Sequence, residues 1–335
     1  MKILVVGCGS IGRRHTANAA ALAETAVFDV DAERARDCAS ALGVRSFPDL
    51  EAALNWTPDG VVVATPQSSH LQIARMAIES GADVMIEKPL SHNLDGVEML
   101  LDNADNLDRK VFAVTNLRFH PGVEAIRNNL PEIGKPLFAK AHFGSNLKDM
   151  RPGIDHRRLD CVRPDHGGVV LDNIHEFDYL MWLFGDVAEV FAVAGRLGTL
   201  NIETTDYSCS ALRHESGLRS EIHLNWLQRP KRRGCEVVGS GGTLIWNSNG
   251  KNPERCEVRL YPAQDQDSRV LWESHAVDHN RPFVVLMEHF LAALSGGDTL
   301  LSSGRTGARV LEAALAACRS AETGRAAVLS GAPSR

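Results

Sequence analysis

Short, unbroken apolar runs recur through the first third of the chain, at KILVVG, TAVFD, GVVVAT, DVMIE and KVFAV. Between them lie segments such as DAERARDCASALG and SSHLQIARMAIESG, with apolar positions every three or four residues. A continuous apolar run of this length suits a strand covered on both faces, and the longer spacing suits a helix with one buried stripe. Their alternation predicts parallel βαβ units, hence an α/β domain on a doubly wound parallel sheet. Asp31 stands where it can cap the second helix, and Gly43 where it can end it. Past Pro121 the texture changes. After one helical stretch, and with the earlier run LFAKAHFGS, the segments VAEVFAVAGRL, YSCSALRH, LRSEIHLNWL, CEVVGS, GTLIWN and CEVRLYP predict a large, mostly antiparallel open sheet. One helix is expected over Leu171 to Phe184, and two more close the chain, RPFVVLMEHFLAALSGG and GRTGARVLEAALAACRSAETG. The expected organisation is a Rossmann domain over residues 1–120 and an α+β domain over 121–335.

The first strand runs directly into Gly7-x-Gly9-x-x-Gly12, and Asp29 closes the second apolar run seventeen residues after Gly12. Glycines there permit a tight turn, close backbone approach to a pyrophosphate and tight helix–strand packing, while a carboxylate at that distance suits ribose hydroxyls. Gly7, Gly9, Ser10, Ile11, Gly12 and Asp29 are therefore expected to hold a dinucleotide. Asp29 would repel a ribose 2′-phosphate and Val30 offers no cation to accept one, so NAD is expected in preference to NADP. A glycine turn in an α/β protein that has lost its ligand site would look the same.

Composition narrows the partners. With 44% hydrophobic and 23% charged residues the chain is ordinary for a soluble protein, and a net charge of -6 argues against nucleic acid or an anionic membrane. No run is long and apolar enough for a membrane helix, and Ile3 to Val6 is too short for a signal peptide, so a cytoplasmic location is expected. The seven cysteines form no CxxC pair, which points to reduced thiols and to no zinc knuckle. No internal repeat or low-complexity tract is present.

Several polar residues fall where chemistry is expected. Glu87-Lys88-Pro89 ends DVMIE and so projects from the carboxyl edge of the sheet, where ligands bind. Lys88 there can stabilise an alkoxide, with desolvation lowering its pKa, and Pro89 can take a cis bond; a surface lysine at a strand end is the plain alternative. Thr65, Pro66, Ser69 and His70 follow GVVVAT at the same edge and are expected to line the nucleotide, although His70 could equally cap or pack the next helix. At 100° per residue Asp172, His175 and Glu176 share a narrow arc of the helix expected there. That arc suggests the wall of a cleft, with His175 as acid–base group and Asp172 orienting it; an ordinary capped helix is the alternative. A metal site of Asp172, His175 and His166 lacks supporting ligand spacing, and no metal is expected. Asn116, Arg118 and His120 can face a cleft or brace a junction. Arg151 and Arg157, with Arg158 and Arg163, can hold a substrate anion or simply neutralise Asp155, Asp160 and Asp165. They belong to the irregular stretch from Asn146 to Gly168, whose length inside a compact domain is itself suggestive.

The glycine loop, ATP at Ala64 to Pro66, EKP at Glu87 to Pro89 and GG-x-x-x-D-x-x-H from Gly167 to His175, in this order, resemble the Gfo/Idh/MocA oxidoreductase family over nearly the whole chain. The final helix, with ACRSAETGRAAVL, is similar to that family's closing segment. The resemblance implies Lys88 as catalytic lysine and Asp172 and His175 as the cleft pair. Many members place the histidine four residues after the aspartate, where this chain has Glu176, so either side chain could face the cleft. The three-residue gap, NLRFHP and DMRPGIDHRR resemble a branch associated with surface-sugar and nucleotide-sugar metabolism. The family's open sheet serves as substrate platform and oligomer interface, implying a homodimer or homotetramer.

The expected activity is hydride transfer between a secondary alcohol of a sugar, cyclitol or nucleotide-sugar and NAD. Two alternatives use the same fold: transient oxidation by tightly held NAD to cleave a glycosidic bond, and a non-catalytic NAD-sensing regulator. Retention of Lys88 and His175 speaks against the regulator.

Overall fold

Isoleucine, leucine and valine fill the first strands so completely that Ile3, Leu4, Val5, Val61, Val62, Val63, Val84, Met85 and Ile86 are all withdrawn from solvent. A sheet buried on both faces requires this. The computed structural model describes residues 1–150, 153–250, 253–263, 267–297, 299 and 302–330. It divides into one unit of Met1–Asn116 with Asn280–Ala308, and a second of Leu117–His279 with the chain from Arg309 onward.

In the first unit, strands β1 (Lys2–Val6), β2 (Glu24–Phe28), β3 (Arg45–Ser46), β4 (Gly60–Val63), β5 (Asp83–Ile86) and β6 (Val111–Ala113) alternate with helices α1 (Ser10–Ala20), α2 (Ala32–Leu42), α3 (Leu50–Leu54), α4 (His70–Glu79) and α5 (Val97–Asn106). The six strands pair in parallel in the order β6-β5-β4-β1-β2-β3. The direction of winding reverses between β1 and β4, which places a ligand crevice at their carboxyl ends. Val6, Val63 and Ile86 lie in one row, so the glycine loop, Thr65 and Lys88 leave the sheet side by side. Asp31 caps α2 through the N–H groups of Glu33 and Arg34, and Gly43 ends it with φ 67°.

The second unit contains α6 (Pro121–Asn129), β7 (Pro136–Gly144), α7 (Leu147–Met150), α8 (Gly168–Asp172), α9 (His175–Phe184), β8 (Val187–Gly195), β9 (Tyr207–His214), β10 (Arg219–Asn225), β11 (Arg232–Gly239), β12 (Gly242–Ser248), β13 (Glu254–Pro262) and β14 (Arg269–Val277). The chain then forms α10 (Arg281–Leu294) and β15 (Ser302–Ser303), followed by α11 (Gly304–Thr323) and β16 (Ala327–Val328). The large sheet runs β14-β13-β12-β11-β7-β10-β9-β8-β16, antiparallel except for β7 with β10. Helices cover one face, with α9 against β7 and β10 and α6 against β12. The opposite face exposes Phe191 and Val193.

Three features depart from the pattern. The closing helices do not stay together: α10 joins the first unit, packing on α1 and covering the sheet where Phe290 meets Phe112 edge-on. Gly60 permits this approach, since a Cβ there would lie 2.8 Å from Leu294 and 2.9 Å from Phe290. β15 then adds to that sheet antiparallel to β6. Second, the helix expected over Leu171–Phe184 is two, because Asn173 leaves helical geometry at ψ 40° while its amide donates to the Val169 carbonyl. Third, β14 has no alternating signature because it is an edge strand exposed along most of its length. Among the described residues no helix is long and apolar enough to cross a membrane.

Candidate active site

The glycine loop is built so that side chains are excluded where packing is tightest. A Cβ on Gly12 would lie 1.8 Å from the Gly7 carbonyl oxygen, and one on Gly7, which adopts φ +100°, would lie 2.5 Å from Ala64 O. On Gly9, in contrast, a Cβ would meet nothing within 4 Å. Gly9 therefore keeps open the space into which a pyrophosphate fits. Ser10 and Ile11 begin α1, which has no side-chain cap and so leaves its first N–H groups to an anion. Asp29 is held at the end of β2, with Oδ2 accepting the Cys8 N–H at 2.7 Å and Oδ1 accepting the Asp31 N–H at 2.9 Å. Arg34 approaches the same carboxylate at 3.6 Å, a cation at this site that the sequence reading had not placed. Burial pushes the Cys8 thiol up to about 12, which keeps it protonated. These residues fit a dinucleotide.

Lys88 is half-buried on a turn whose Lys88–Pro89 bond is cis. The Glu87 carboxylate fixes this turn from below: Oε2 accepts the Lys88 N–H at 3.0 Å, and Oε1 lies 2.8 Å from His15 Nε2 in α1. Burial pushes the Glu87 carboxyl up, but the His15 hydrogen bond, the charges of His15 and Lys88 and the Lys88 N–H outweigh it and hold the group below its ordinary value. His70 holds the other side, Nδ1 lying 3.0 Å from Pro89 O and Nε2 2.9 Å from Thr65 O. A neutral imidazole carries one N–H and bonds one carbonyl at a time; burial lowers the His70 pKa and favours that neutral ring. His70, expected to touch the cofactor, has both ring nitrogens turned to backbone and braces the two strand ends. Thr65, half-exposed, receives the Ser69 hydroxyl at 2.9 Å, and Pro66 is exposed.

In the second unit Asp172 ends α8 and His175 begins α9, both half-exposed, so they flank a break and do not share one helical arc. Glu176, the next residue of α9, turns inward. It is fully buried, its Oε1 lies 2.9 Å from Arg233 Nε, and the Arg233 guanidinium rests on the Phe143 ring at 4.5 Å. Of the two side chains left open by the spacing, Glu176 is committed to the sheet.

The NLRFHP segment divides similarly. Asn116 is half-exposed at the start of a 3-10 turn, Asn116–Phe119. Arg118 is 6% exposed and grips Asp178 with two nitrogens, which corrects the expectation of a substrate-facing arginine to that of a brace. His120 is likewise buried, capping α6 with Nδ1 as acceptor of the Gly122 N–H at 3.1 Å. With Glu254 and Cys256 it brings three possible ligand atoms within 4.8 Å of one another. However, an acceptor Nδ1 leaves the proton on Nε2, which then points a donor at Glu254 instead of a lone pair at a metal. Arg157 closes a two-pronged contact on Asp155, holding that carboxyl well below the usual range. Arg151 lies outside the described residues.

Two family descriptions match the chain: the NAD-binding Rossmann fold of the oxidoreductase family GFO_IDH_MocA over residues 1–115, and the GFO/IDH/MocA C-terminal domain over residues 129–245. The chain belongs to the GFO/IDH/MocA family. Its first unit is therefore an NAD-binding Rossmann domain of an oxidoreductase. Among its relatives, D-apiose dehydrogenase of Paraburkholderia graminis is 26% identical, the alignment covering 96% of this chain and 88% of that one. Myo-inositol 2-dehydrogenase of Thermotoga maritima is 27% identical with 98% of each chain covered. The WlbA dehydrogenase of Bordetella pertussis, solved with NADH and UDP-GlcNAcA, shares the fold with a TM-score of 0.81 at 22% identity, covering 100% of this chain and 99% of that one.

Sequence reading missed His15. Its signal was a lone imidazole on the inward face of α1, among the buried residues Gly12, Thr16, Asn18 and Ala19.

Proposed function

We propose that this oxidoreductase moves a hydride between a secondary alcohol of a sugar or cyclitol, free or nucleotide-linked, and nicotinamide, preferring NAD to NADP. The observation that carries the reading is Lys88, an ammonium on a braced turn beside the glycine loop at the carboxyl edge of the Rossmann sheet. Relatives named for D-apiose, myo-inositol and UDP-N-acetylglucosamine support the substrate class. Nicotinamide, when bound, would supply the hydride chemistry. Lys88 stabilises negative charge on the substrate oxygen, His175 takes or returns the hydroxyl proton, and Asp172 stabilises the imidazolium. Gly7, Gly9, Ser10, Ile11, Gly12 and Asp29 hold the dinucleotide, and Asn116 serves the substrate. Glu176, paired with Arg233, is left out of the proton transfer. The sheet face that exposes Phe191 and Val193 supports a homo-oligomer, and seven cysteines scattered without a CxxC pair are in keeping with a reducing, cytoplasmic setting.

A panel of sugars, cyclitols, uronates and nucleotide-sugars, screened by thermal shift with NADH present, identifies the ligand, and absorbance of NADH then follows turnover. Lys88→Ala is expected to lower kcat/KM by at least roughly 10²-fold, and His175→Asn by a similar factor, with Glu176→Gln affecting stability more than proton transfer. Turnover by Lys88→Ala within a few-fold of the parent overturns the mechanism.

A further inference from the structure

We propose that His15 is a positioning residue for Lys88, acting through Glu87. The inference rests on the role just proposed for Lys88, but every distance that supports it lies within the first unit. His15 is fully buried in α1, its ring edge-on to Phe283 with centroids 5.7 Å apart. Nε2 reaches one oxygen of the Glu87 carboxylate at 2.8 Å, and the other oxygen takes the backbone N–H of Lys88 at 3.0 Å. One carboxylate thus ties the helix that opens from the glycine loop to the residue carrying the ammonium.

The arrangement does more than satisfy a core hydrogen bond. Glu87 is 5% exposed, and a buried anion deprived of one donor must turn toward another or take up a proton. The Lys88 charge acts on this carboxylate and its N–H already binds it, so either response alters the field and the backbone at the amine. His70 secures the far side of the turn independently, through Pro89 O and Thr65 O. Losing His15 therefore releases one side only, and the effect stays local. Because α1 also presents its N-terminus to the dinucleotide, the same link carries the setting of the glycine loop to Lys88.

The test reads the amine itself. Lysines of the whole protein are reductively methylated with ¹³C-formaldehyde, and the Lys88 resonance is identified by its loss in Lys88→Arg. In His15→Phe, which keeps an aromatic ring against Phe283 but has no donor, the titration midpoint of that resonance is expected to move by about half a pH unit or more, with other lysines unchanged. Glu87→Gln should move it too, and the double variant by no more than the larger single effect, since both act through one group. His15→Gln, whose amide can donate, should restore the parental position. On a substrate from the panel, His15→Phe should lower kcat roughly tenfold with KM and the NADH Kd within threefold. A Lys88 resonance unmoved in folded His15→Phe overturns the proposal; if that variant does not fold, an unmoved resonance in Glu87→Gln does so. A moved resonance together with full turnover by Lys88→Ala upholds the positioning and removes the catalytic role of Lys88 instead.

Discussion

Arg118 and Asp178 meet through a buried fork, Nη2 lying 2.6 Å and Nε 3.2 Å from one carboxylate oxygen and Nε 3.1 Å from the other. Both are almost wholly buried, so removing one charge strands the other in a poorly solvating interior. Asp178→Ala is expected to lower stability by about 3–5 kcal/mol in chemical denaturation, whereas replacing both partners by apolar residues of similar volume should recover most of that loss. Equal losses in the single and double variants would show that shape, not charge pairing, holds α9 to its neighbours.

Acid sensitivity should trace to Glu254. Burial pushes its carboxyl up, but His120, Ser248 and His279 outweigh it and hold the group at about 2, against an ordinary 4.5. A depressed carboxyl binds fewer protons folded than unfolded, so its stabilisation is complete above about pH 4.5 and disappears as pH falls toward 2. Glu254→Gln should therefore flatten the decline of Tm between pH 5 and about 2.5, while lowering Tm at pH 7. A decline as steep as the parent's would assign acid sensitivity to other carboxylates.

How much of this was legible beforehand depended on whether a residue's partner was local. Asp31 and Gly43 act on backbone within a few residues, and the parallel sheet announces itself through continuous apolar runs, so these features could be read directly. The break at Asn173 turns on one side-chain bond, which periodicity does not register. The role of Arg118 depends on Asp178, 60 residues away, and that of His15 on Glu87, 72 residues away. A polar side chain bound for a cleft and one bound for a buried partner have the same spelling. The fate of α10 was hidden for a related reason: an amphipathic stripe specifies burial but not which core receives it.

Cofactor preference should respond to a single atom at residue 29. The Asp29 carboxylate accepts the Cys8 N–H through one oxygen and the Asp31 N–H through the other, and in the proposed role it also meets a ribose; Asn keeps one acceptor oxygen for the Cys8 N–H, gives up the bond from Asp31 and removes the charge. Asp29→Asn also frees Arg34, now 3.6 Å from that carboxylate, to meet a 2′-phosphate. The ratio of NADPH to NADH dissociation constants, from fluorescence titration, should fall by about tenfold or more. An unchanged ratio would mean that discrimination lies elsewhere on the dinucleotide.

Gly9 and Gly12 offer the sharpest separation of folding from ligand binding, because the same added methyl meets different surroundings at each. At Gly12 it would lie 1.8 Å from the Gly7 carbonyl oxygen, a backbone atom that cannot swing aside, so Gly12→Ala must displace the loop or the helix behind it. Its stability should fall by about 1–3 kcal/mol and NADH binding should be lost with it. At Gly9 the methyl meets no protein atom within 4 Å, and φ −68° with ψ −172° is ordinary for alanine. Gly9→Ala should therefore unfold within a few degrees of the parent, yet bind NADH at least roughly tenfold more weakly, because the methyl takes the space needed by the pyrophosphate. Parental NADH affinity in Gly9→Ala would mean that the open space beside this residue is not where the phosphates lie, and the anion site would have to be sought away from the first turn of α1.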